Sequence, residues 1–387
     1  MKKKIIITNK IGRFDKVIEV SGDKSISIRC ILLASQAVGK SKIYNLLESE
    51  DVINSLECVK KFGIKTKKIN NYHAIYGLGL NGFNTKKKIE LNAGNSGTLA
   101  RLILGLLVDS ENLITLKGDK SLSNRDFSRI VEPLRQFGVN IVSRRNRLPV
   151  KILGSKFISP INYEEKLGSA QCKSAVMLAG LKSPGITKIK ASKSRDHTEL
   201  LFKDLKIPIK IKKKNSSDYI EIRGQTNFSG FVYKVPGDIS SSSFFLVLTL
   251  LSEGSALIVK NVNINETRTG IIKILNKMNS KIKIKNKKKY KGEIIGDIHV
   301  KSAKELKSIN CPKSLNSSAI DEFLIIFLIA AKAKGVSKFS DLGELNKKES
   351  PRLNIAIKIL RMMGVKVQRN RDNIKIFGNP NLRLSKT

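Results

Sequence analysis

Five short polar clusters carry residue types that bind anions, and each runs at once into an apolar stretch: Lys24-Ser25-Ile26-Ser27, Asn95-Ser96-Gly97-Thr98, Ser169-Ala170-Gln171, Asp238-Ile239-Ser240-Ser241 and Asp321-Glu322. A Ser-, Asn- or Gly-rich segment at a helix start leaves backbone N–H groups free at the positive end of the helix dipole, which suits a phosphate or a carboxylate. Simple N-capping accounts for any one cluster taken alone. Five in register, each joined to Lys, Arg, Asp or Gln, point instead to a shared site for anionic ligands.

The elements that must position these clusters follow from their spacing. The clusters recur about every 70 to 80 residues, and a fixed period of this kind signals a repeated structural unit. Between the apolar runs lies a second, amphipathic helical pattern, at 51–62, 124–137, 196–205, 266–278 and 349–363, mostly closed by a glycine or a short turn. Alternating strand-like segments come next, such as Lys281-Ile282-Lys283-Ile284-Lys285 and Asn373-Ile374-Lys375-Ile376. The unit therefore reads β-α-β-α-β-β, an α/β class, with one buried and one half-exposed helix per unit. Several units can pack around shared buried helices with sheets outside. The same spacing expects a sixth apolar helix at about 395, beyond Thr387, so the chain is expected to lack its last unit.

Composition limits the function. A chain of 387 residues at 41% apolar content can bury a full core. Its longest apolar runs, 323–331 and 244–251, fall short of a membrane span, which predicts a soluble protein without a membrane role. Met1-Lys2-Lys3-Lys4 opens like a signal peptide, but the apolar stretch Ile5-Ile6-Ile7 is too short. A first strand there and a cytoplasmic location are expected. Cys30, Cys58, Cys172 and Cys311 lie far apart among apolar or small neighbours and read as buried free thiols, and with His73, His197 and His299 equally scattered no metal site is expected. The net charge of +41 invites a nucleic-acid reading. The lysine runs at 86–88, 212–214 and 287–289 fall in separate turns or strand ends, though, and the chain has no Trp for base stacking. A solvated basic surface that draws in small anionic substrates is the expectation, not a nucleic-acid partner.

Here a family resemblance becomes specific. Ser21-Gly22-Asp23-Lys24-Ser25-Ile26-Ser27-Ile28-Arg29 resembles the opening signature of 5-enolpyruvylshikimate-3-phosphate synthases. Gly94-Asn95-Ser96-Gly97-Thr98-Leu99-Ala100-Arg101 resembles their G-N-[SA]-G-T-x-x-R loop, and Ser169-Ala170-Gln171-Cys172-Lys173-Ser174-Ala175 their S-A-Q-x-K-S-A helix start. Ser194-Arg195-Asp196-His197-Thr198-Glu199 is similar to S-R-D-H-T-E, and Lys348-Glu349-Ser350-Pro351-Arg352 to K-E-[ST]-D-R. Each match alone is weak, whereas the ordered set spans residues 21 to 352.

The resemblance implies transfer of the enolpyruvyl group of phosphoenolpyruvate to the 5-hydroxyl of shikimate 3-phosphate, releasing phosphate on the route to chorismate and the aromatic amino acids. It implies a monomer that uses no cofactor. By the same carry-over Asp321 takes the 5-hydroxyl proton, Glu349 serves C3 of phosphoenolpyruvate, and Lys24 lies between the two substrates. Shikimate 3-phosphate would meet Lys24, Ser25, Arg29, Ser169, Ala170, Gln171, Ser194, Arg195, Asp321 and Lys348. Phosphoenolpyruvate would meet Lys24, Asn95, Gly97, Arg125, Gln171 and Arg352. A glycine at position 97 goes in this family with glyphosate sensitivity. Purely structural roles compete: Asp321 as N-cap of the apolar helix, Glu349 as a first-turn dipole partner, Arg125 as a surface arginine.

The implied architecture is a two-domain enolpyruvyl-transferase fold, with residues 1–21 and 236–387 in one domain, short of its last unit, and 22–235 in the other. Three departures from the pattern stand out. Asn346 replaces a common arginine, Pro351 replaces an aspartate, and the family's closing D-H-R helix and strand have no counterpart before Asn379-Pro380-Asn381-Leu382-Arg383. A truncated member that only binds shikimate 3-phosphate is one alternative, and a basic RNA-binding or RNA-end-processing protein of similar fold is another. The related transferase acting on UDP-N-acetylglucosamine fits less well, because Lys24 is followed by Ser25 instead of Asn and no cysteine sits in a polar loop.

Overall fold

The computed structural model describes residues 11–214 and 216–382, so the strand expected at 5–7 and Arg383 lie outside the described residues. The βαβαββ unit recurs along the chain. The first comprises β1 (Asp15–Glu19), α1 (Lys24–Gln36), β2 (Val38–Tyr44), α2 (Glu50–Lys60), β3 (Lys65–Ile69) and β4 (Tyr72–Leu78). The second comprises β5 (Ile89–Asn92), α3 (Gly97–Gly105), β6 (Ile114–Lys117), α4 (Lys120–Ser123), α5 (Ser128–Arg135), β7 (Asn140–Ser143) and β8 (Val150–Leu153). The third runs β9 (Asn162–Glu165), α6 (Ala170–Lys182), β10 (Ile186–Ser192), α7 (His197–Asp204), β11 (Ile209–Lys213), β12 (Ser217–Arg223). In the fourth are β13 (Val232–Lys234), α8 (Ile239–Leu251), β14 (Ala256–Asn263), α9 (Gly270–Lys277), β15 (Lys283–Tyr290) and β16 (Glu293–Lys301). The fifth holds α10 (Phe323–Lys332), β17 (Gly335–Phe339), α11 (Arg352–Met362), β18 (Val367–Asn370) and β19 (Asn373–Gly378). Its opening strand is reduced to isolated parallel bridges, Lys307 with Lys334 and Asn310 with Lys338.

The helix expected at 124–137 is the shorter α5, at Ser128–Arg135, and a separate short helix, α4, precedes it at Lys120–Ser123. The Asp126 carboxylate accepts the Ser128 backbone N–H at 2.7 Å and its hydroxyl at 2.9 Å, and such a local side-chain bond competes with helix continuation. The helix expected at 349–363 runs from Arg352 to Met362, with Pro351 at the cap position.

In the first three units the first helix is the buried one, whereas α8 and α10, expected to be buried as well, leave Phe244, Phe245, Leu248, Leu251 and Leu324 exposed. Residues 26–36 of α1 and 172–182 of α6 are all buried, and α3 packs so closely on α6 that a Cβ at Gly105 would strike the Ala175 carbonyl. Buried apolar residues form two clusters, one from Ile26 to Val235 and one from Ile239 to Ile376. The sheets lie outside them. All four cysteines are buried and free, and burial pushes the Cys58 thiol up to about 12 and Cys311 to about 11. Among the described residues no helix is long and apolar enough to cross a membrane.

Strand order shows an exchange between two units. The sheet β13-β2-β4-β3 is completed by β13, parallel to β2 with Tyr233 opposite Ile43, and the sheet β1-β14-β16-β15 is completed by β1, parallel to β14 with Val17 opposite Ile258. Each of these units lends its first strand to the other's sheet. The two connecting segments meet as an antiparallel bridge, Gly22 with Gly237. Around it Asp23 N–H donates to the Pro236 carbonyl at 2.9 Å and Asp238 N–H to that of Ser21 at 3.0 Å. A Cβ at Gly22 would run into the Asn45 carbonyl, so glycine is required there by close approach.

Candidate active site

All five expected helix starts are helix starts in the structure, and four of them carry side-chain caps. Asp23, Ser96, Ser169 and Asp238 each accept a backbone N–H in the first turn of α1, α3, α6 and α8. Asp321 does not cap α10. The cap position is Glu322, which makes no side-chain capping bond, so Asp321 stands in the preceding turn with its carboxylate free for other partners.

An open cleft of roughly 1760 Å³ runs between residues of the two apolar clusters. Of the expected site residues, Arg125, Ser169, Ala170, Gln171, Ser194, Arg195, Lys348 and Glu349 line it. Asp321 and Arg352 stand directly behind that wall. Asp321 Oδ2 lies 2.5 Å from Arg195 Nη2, and its Oδ1 lies 3.1 Å from Arg352 Nη1 and 3.6 Å from Lys348 Nζ. Burial alone would raise this carboxyl, but Arg195, Lys348 and Arg268 hold it well below the usual range. Glu349 places Oε2 2.6 Å from Arg352 Nη2 and Oε1 3.1 Å from Arg125 Nη2, while its carbonyl accepts the Ser121 hydroxyl at 2.6 Å. Burial again works upward, and its own backbone N–H with Arg352 and Arg125 brings it down to about 2. Lys348 is pushed down by burial, with Asp321 opposing and Arg195 and Arg352 assisting.

The side expected to meet anions is built from neighbouring helix starts. Gln171, in the first turn of α6, accepts from Arg101 Nη1 at 2.7 Å and donates to Thr98 Oγ1 at 3.0 Å. Ser194 Oγ and Arg125 Nε are buried and, among the described residues, have no hydrogen-bond partner. Asn95 donates to Asp119 at 2.5 Å and stands 3.5 Å from Arg125 Nη2. A Cβ at Gly97 would collide with the Arg125 guanidinium and come within 3.0 Å of Arg101 Nη1, so the bare glycine lets both arginines lie over the start of α3.

Lys24, Ser25 and Arg29 lie off the cleft wall. Lys24 leads α1 and pairs with Asp51 at 2.9 Å, its side chain 43% exposed. Arg29, one turn along from Ser25, is buried and ties three helices: it donates to the Ser25 carbonyl at 3.0 Å, Ser174 Oγ at 3.0 Å and Thr198 Oγ1 at 2.7 Å. Burial lowers its pKa to about 10, with Glu199 and Asp23 opposing.

Sequence reasoning missed several residues here. Arg101 lines the cleft, stacks 5.2 Å from the Phe127 ring centre and orients Gln171. Its signal was present, one helical turn beyond Gly97 in the same loop motif. Asn265 bridges Asp196 at 2.8 Å and Glu293 at 3.0 Å, and His197 Nδ1 lies 2.6 Å from Glu293 Oε1. These join α7 to the β14–β16 sheet, and no local pattern marks Asn265 or Glu293.

Helix starts of repeated βαβαββ units converging on a basic cleft, with two carboxylates clamped by arginines, define the enolpyruvyl-transferase fold, a class of transferases. A family model for EPSP synthase (3-phosphoshikimate 1-carboxyvinyltransferase) matches residues 8–386. The chain is 40% identical over 362 residues to a 3-phosphoshikimate 1-carboxyvinyltransferase of Ruthia magnifica, spanning 93% of this chain and 82% of that protein. It is 39% identical over 371 residues to one of Petrotoga mobilis, spanning 95% and 84%. A solved EPSP synthase from Acinetobacter baumannii superposes with a TM-score of 0.83 at 34% identity, covering 95% of this chain and 82% of that one. The chain belongs to the EPSP synthase family.

Proposed function

We propose that this chain transfers the enolpyruvyl group of phosphoenolpyruvate to the 5-hydroxyl of shikimate 3-phosphate and releases inorganic phosphate. The oxygen of the 5-hydroxyl bonds to C2 of phosphoenolpyruvate as C3 gains a proton. The tetrahedral intermediate then loses a proton from C3 and expels phosphate, which carries away the proton taken from the 5-hydroxyl. The chemistry is acid–base and electrostatic, so it calls for positioned carboxylates and for cations that neutralise two phosphates and a carboxylate. The observation that carries this reading is the pair Asp321 and Glu349, both clamped by Arg352 and each reached by a second arginine from across the cleft, Arg195 and Arg125.

In this reading Asp321, held ionised, accepts the 5-hydroxyl proton. Glu349 at about 2 is also a base, not an acid, while Arg125 and Arg352 hold it. A substrate phosphate or carboxylate that takes those arginines releases Glu349, whose pKa then rises toward that of a group able to give and recover the C3 proton. Ser169, Ala170, Gln171, Ser194, Arg195, Ser25, Arg29 and Lys348 would hold shikimate 3-phosphate. Lys24, Asn95, Gly97, Arg125 and Arg352 would hold phosphoenolpyruvate, Lys24 turning from Asp51 as the cleft closes. The two apolar clusters would be two domains, 1–21 with 236–387 and 22–235, working as a cytoplasmic monomer.

Phosphate release by the 387-residue chain given both substrates tests the proposal, with Asp321→Ala and Glu349→Ala as controls. Release is expected, and a fall of roughly 10² to 10⁴ in each control. Absence of release from the parent chain, or release that survives both substitutions, would overturn it.

A further inference from the structure

We infer that Arg268 is a positioning residue whose single guanidinium holds the starts of α1, α8 and α10 in register where the chain crosses between its two cores, and so sets Lys24 against Asp321. The inference rests on the reaction proposed above. Arg268 sits in the turn ahead of α9 and is 3% exposed. Its Nη1 lies 3.0 Å from Asp23 Oδ2, and its Nη2 lies 2.8 Å from Ser240 Oγ, 3.4 Å from Asp238 Oδ1 and 4.0 Å from Glu322 Oε1. Ser240 closes the cluster by donating to the same Glu322 oxygen.

Each acidic partner belongs to a helix start. Asp23 Oδ1 accepts the Ile26 N–H of α1 at 2.9 Å. Asp238 Oδ1 accepts the Ser240 N–H of α8 at 2.7 Å, and its Oδ2 is 3.4 Å from the Lys24 N–H. Glu322 is the cap residue of α10 and the chain neighbour of Asp321. The fork therefore spans one helix of the first core and two of the second, at the point where Gly22 and Gly237 pair. Lys24 follows Asp23 directly, and Asp321 precedes Glu322 directly, so each group used in the chemistry is one residue from a group that Arg268 holds.

Three carboxylates with one guanidinium, all buried, make an arrangement that tolerates little rearrangement. Burial raises Asp238 and Glu322, whereas Arg268 chiefly opposes burial to keep Asp23 low. A lysine would keep the charge but not the planar fork that reaches two sides at once. Reacting groups displaced by about 1 Å lose rate by as much as about 10². Of the residues proposed to hold shikimate 3-phosphate, Ser169, Gln171 and Ser194 sit on the first core away from the tie, while Ser25 lies on α1 and Lys348 on the second core, so loosening the tie costs binding less than turnover.

The experiment compares the full chain with Arg268→Lys and with Ser240→Ala, which removes the 2.8 Å contact without touching a charge. In Arg268→Lys, kcat is expected to fall on the order of 30- to 100-fold while the calorimetric dissociation constant for shikimate 3-phosphate stays within about threefold. Ser240→Ala is expected to show the same split at smaller amplitude, and it carries the comparison if Arg268→Lys does not fold. Amide exchange read at Ile26, Ser242 and Ile326 should quicken together, with the helix centres unchanged. A kcat within threefold of the parent, an equal loss in substrate affinity, or exchange changes confined to 265–270 would overturn the inference. The exchange arm needs no turnover, so a parent chain that released no phosphate would defeat the proposed reaction and leave the tie to be decided separately.

Discussion

Glu349 shares its two oxygens between Arg352 and Arg125 and donates no proton while it does so. Its pairing also has a thermodynamic sign. The folded value of about 2 lies below the roughly 4.3 of an unfolded glutamate, so the stabilisation is present above about pH 4 and is lost as pH falls through about 2. Denaturant unfolding of parent and Glu349→Gln should differ in midpoint at pH 6, and the gap should close between about pH 4 and pH 2. A gap that stays constant over that range would mean the carboxylate gains nothing from its arginines. At this scale the sequence was informative where a residue's partner is local. Gly97, Ser169 and Gln171 were marked by motifs that also start helices. Arg268 was not, because the residues it bonds are 245 and 30 positions away along the chain and its own surroundings resemble any polar turn.

The helices that carry the site are held by polar groups that propensity does not reveal. Lys173 of α6 is fully buried, with Nζ 2.6 Å from Glu199 Oε1 of α7. Arg29 of α1 completes the link through Ser174 and Thr198. Lys173→Met should cost about 3 to 5 kcal/mol, because it strands a buried carboxylate, while adding Glu199→Leu should recover most of the loss. Chemical denaturation of the two variants checks this, and additive losses would show that the pair is not coupled. The apolar-then-amphipathic alternation made the helices legible, and period-two alternation at 281–285 and 373–376 made β15 and β19 legible. What escaped was set by single local bonds, as where Asp126 holds the start of α5 back to Ser128, or by distant pairing. No periodicity in 15–19 or 232–234 shows that β1 and β13 have traded sheets, since both are short and their partners lie some 200 residues away.

Across the whole molecule the charge is +41, and every expected ligand is an anion. Long-range attraction then raises encounter rates more than it affects chemistry, so kcat/KM should fall several-fold between about 20 and 200 mM salt while kcat changes little, as steady-state rates at fixed pH would show. A salt-insensitive kcat/KM would confine the useful charge to the cleft. The exchange of β1 and β13 also decides how the molecule bears load. Both ends of the described chain, β1 and β19, are anchored in sheets around the second core, and the first core is strung between the two crossings at Gly22 and Gly237. Tension applied between the ends enters the second core first. The first core feels no pull until β1 has left β14 and the bonds beside Gly22 have parted, so it is mechanically sheltered by the partner it was threaded through.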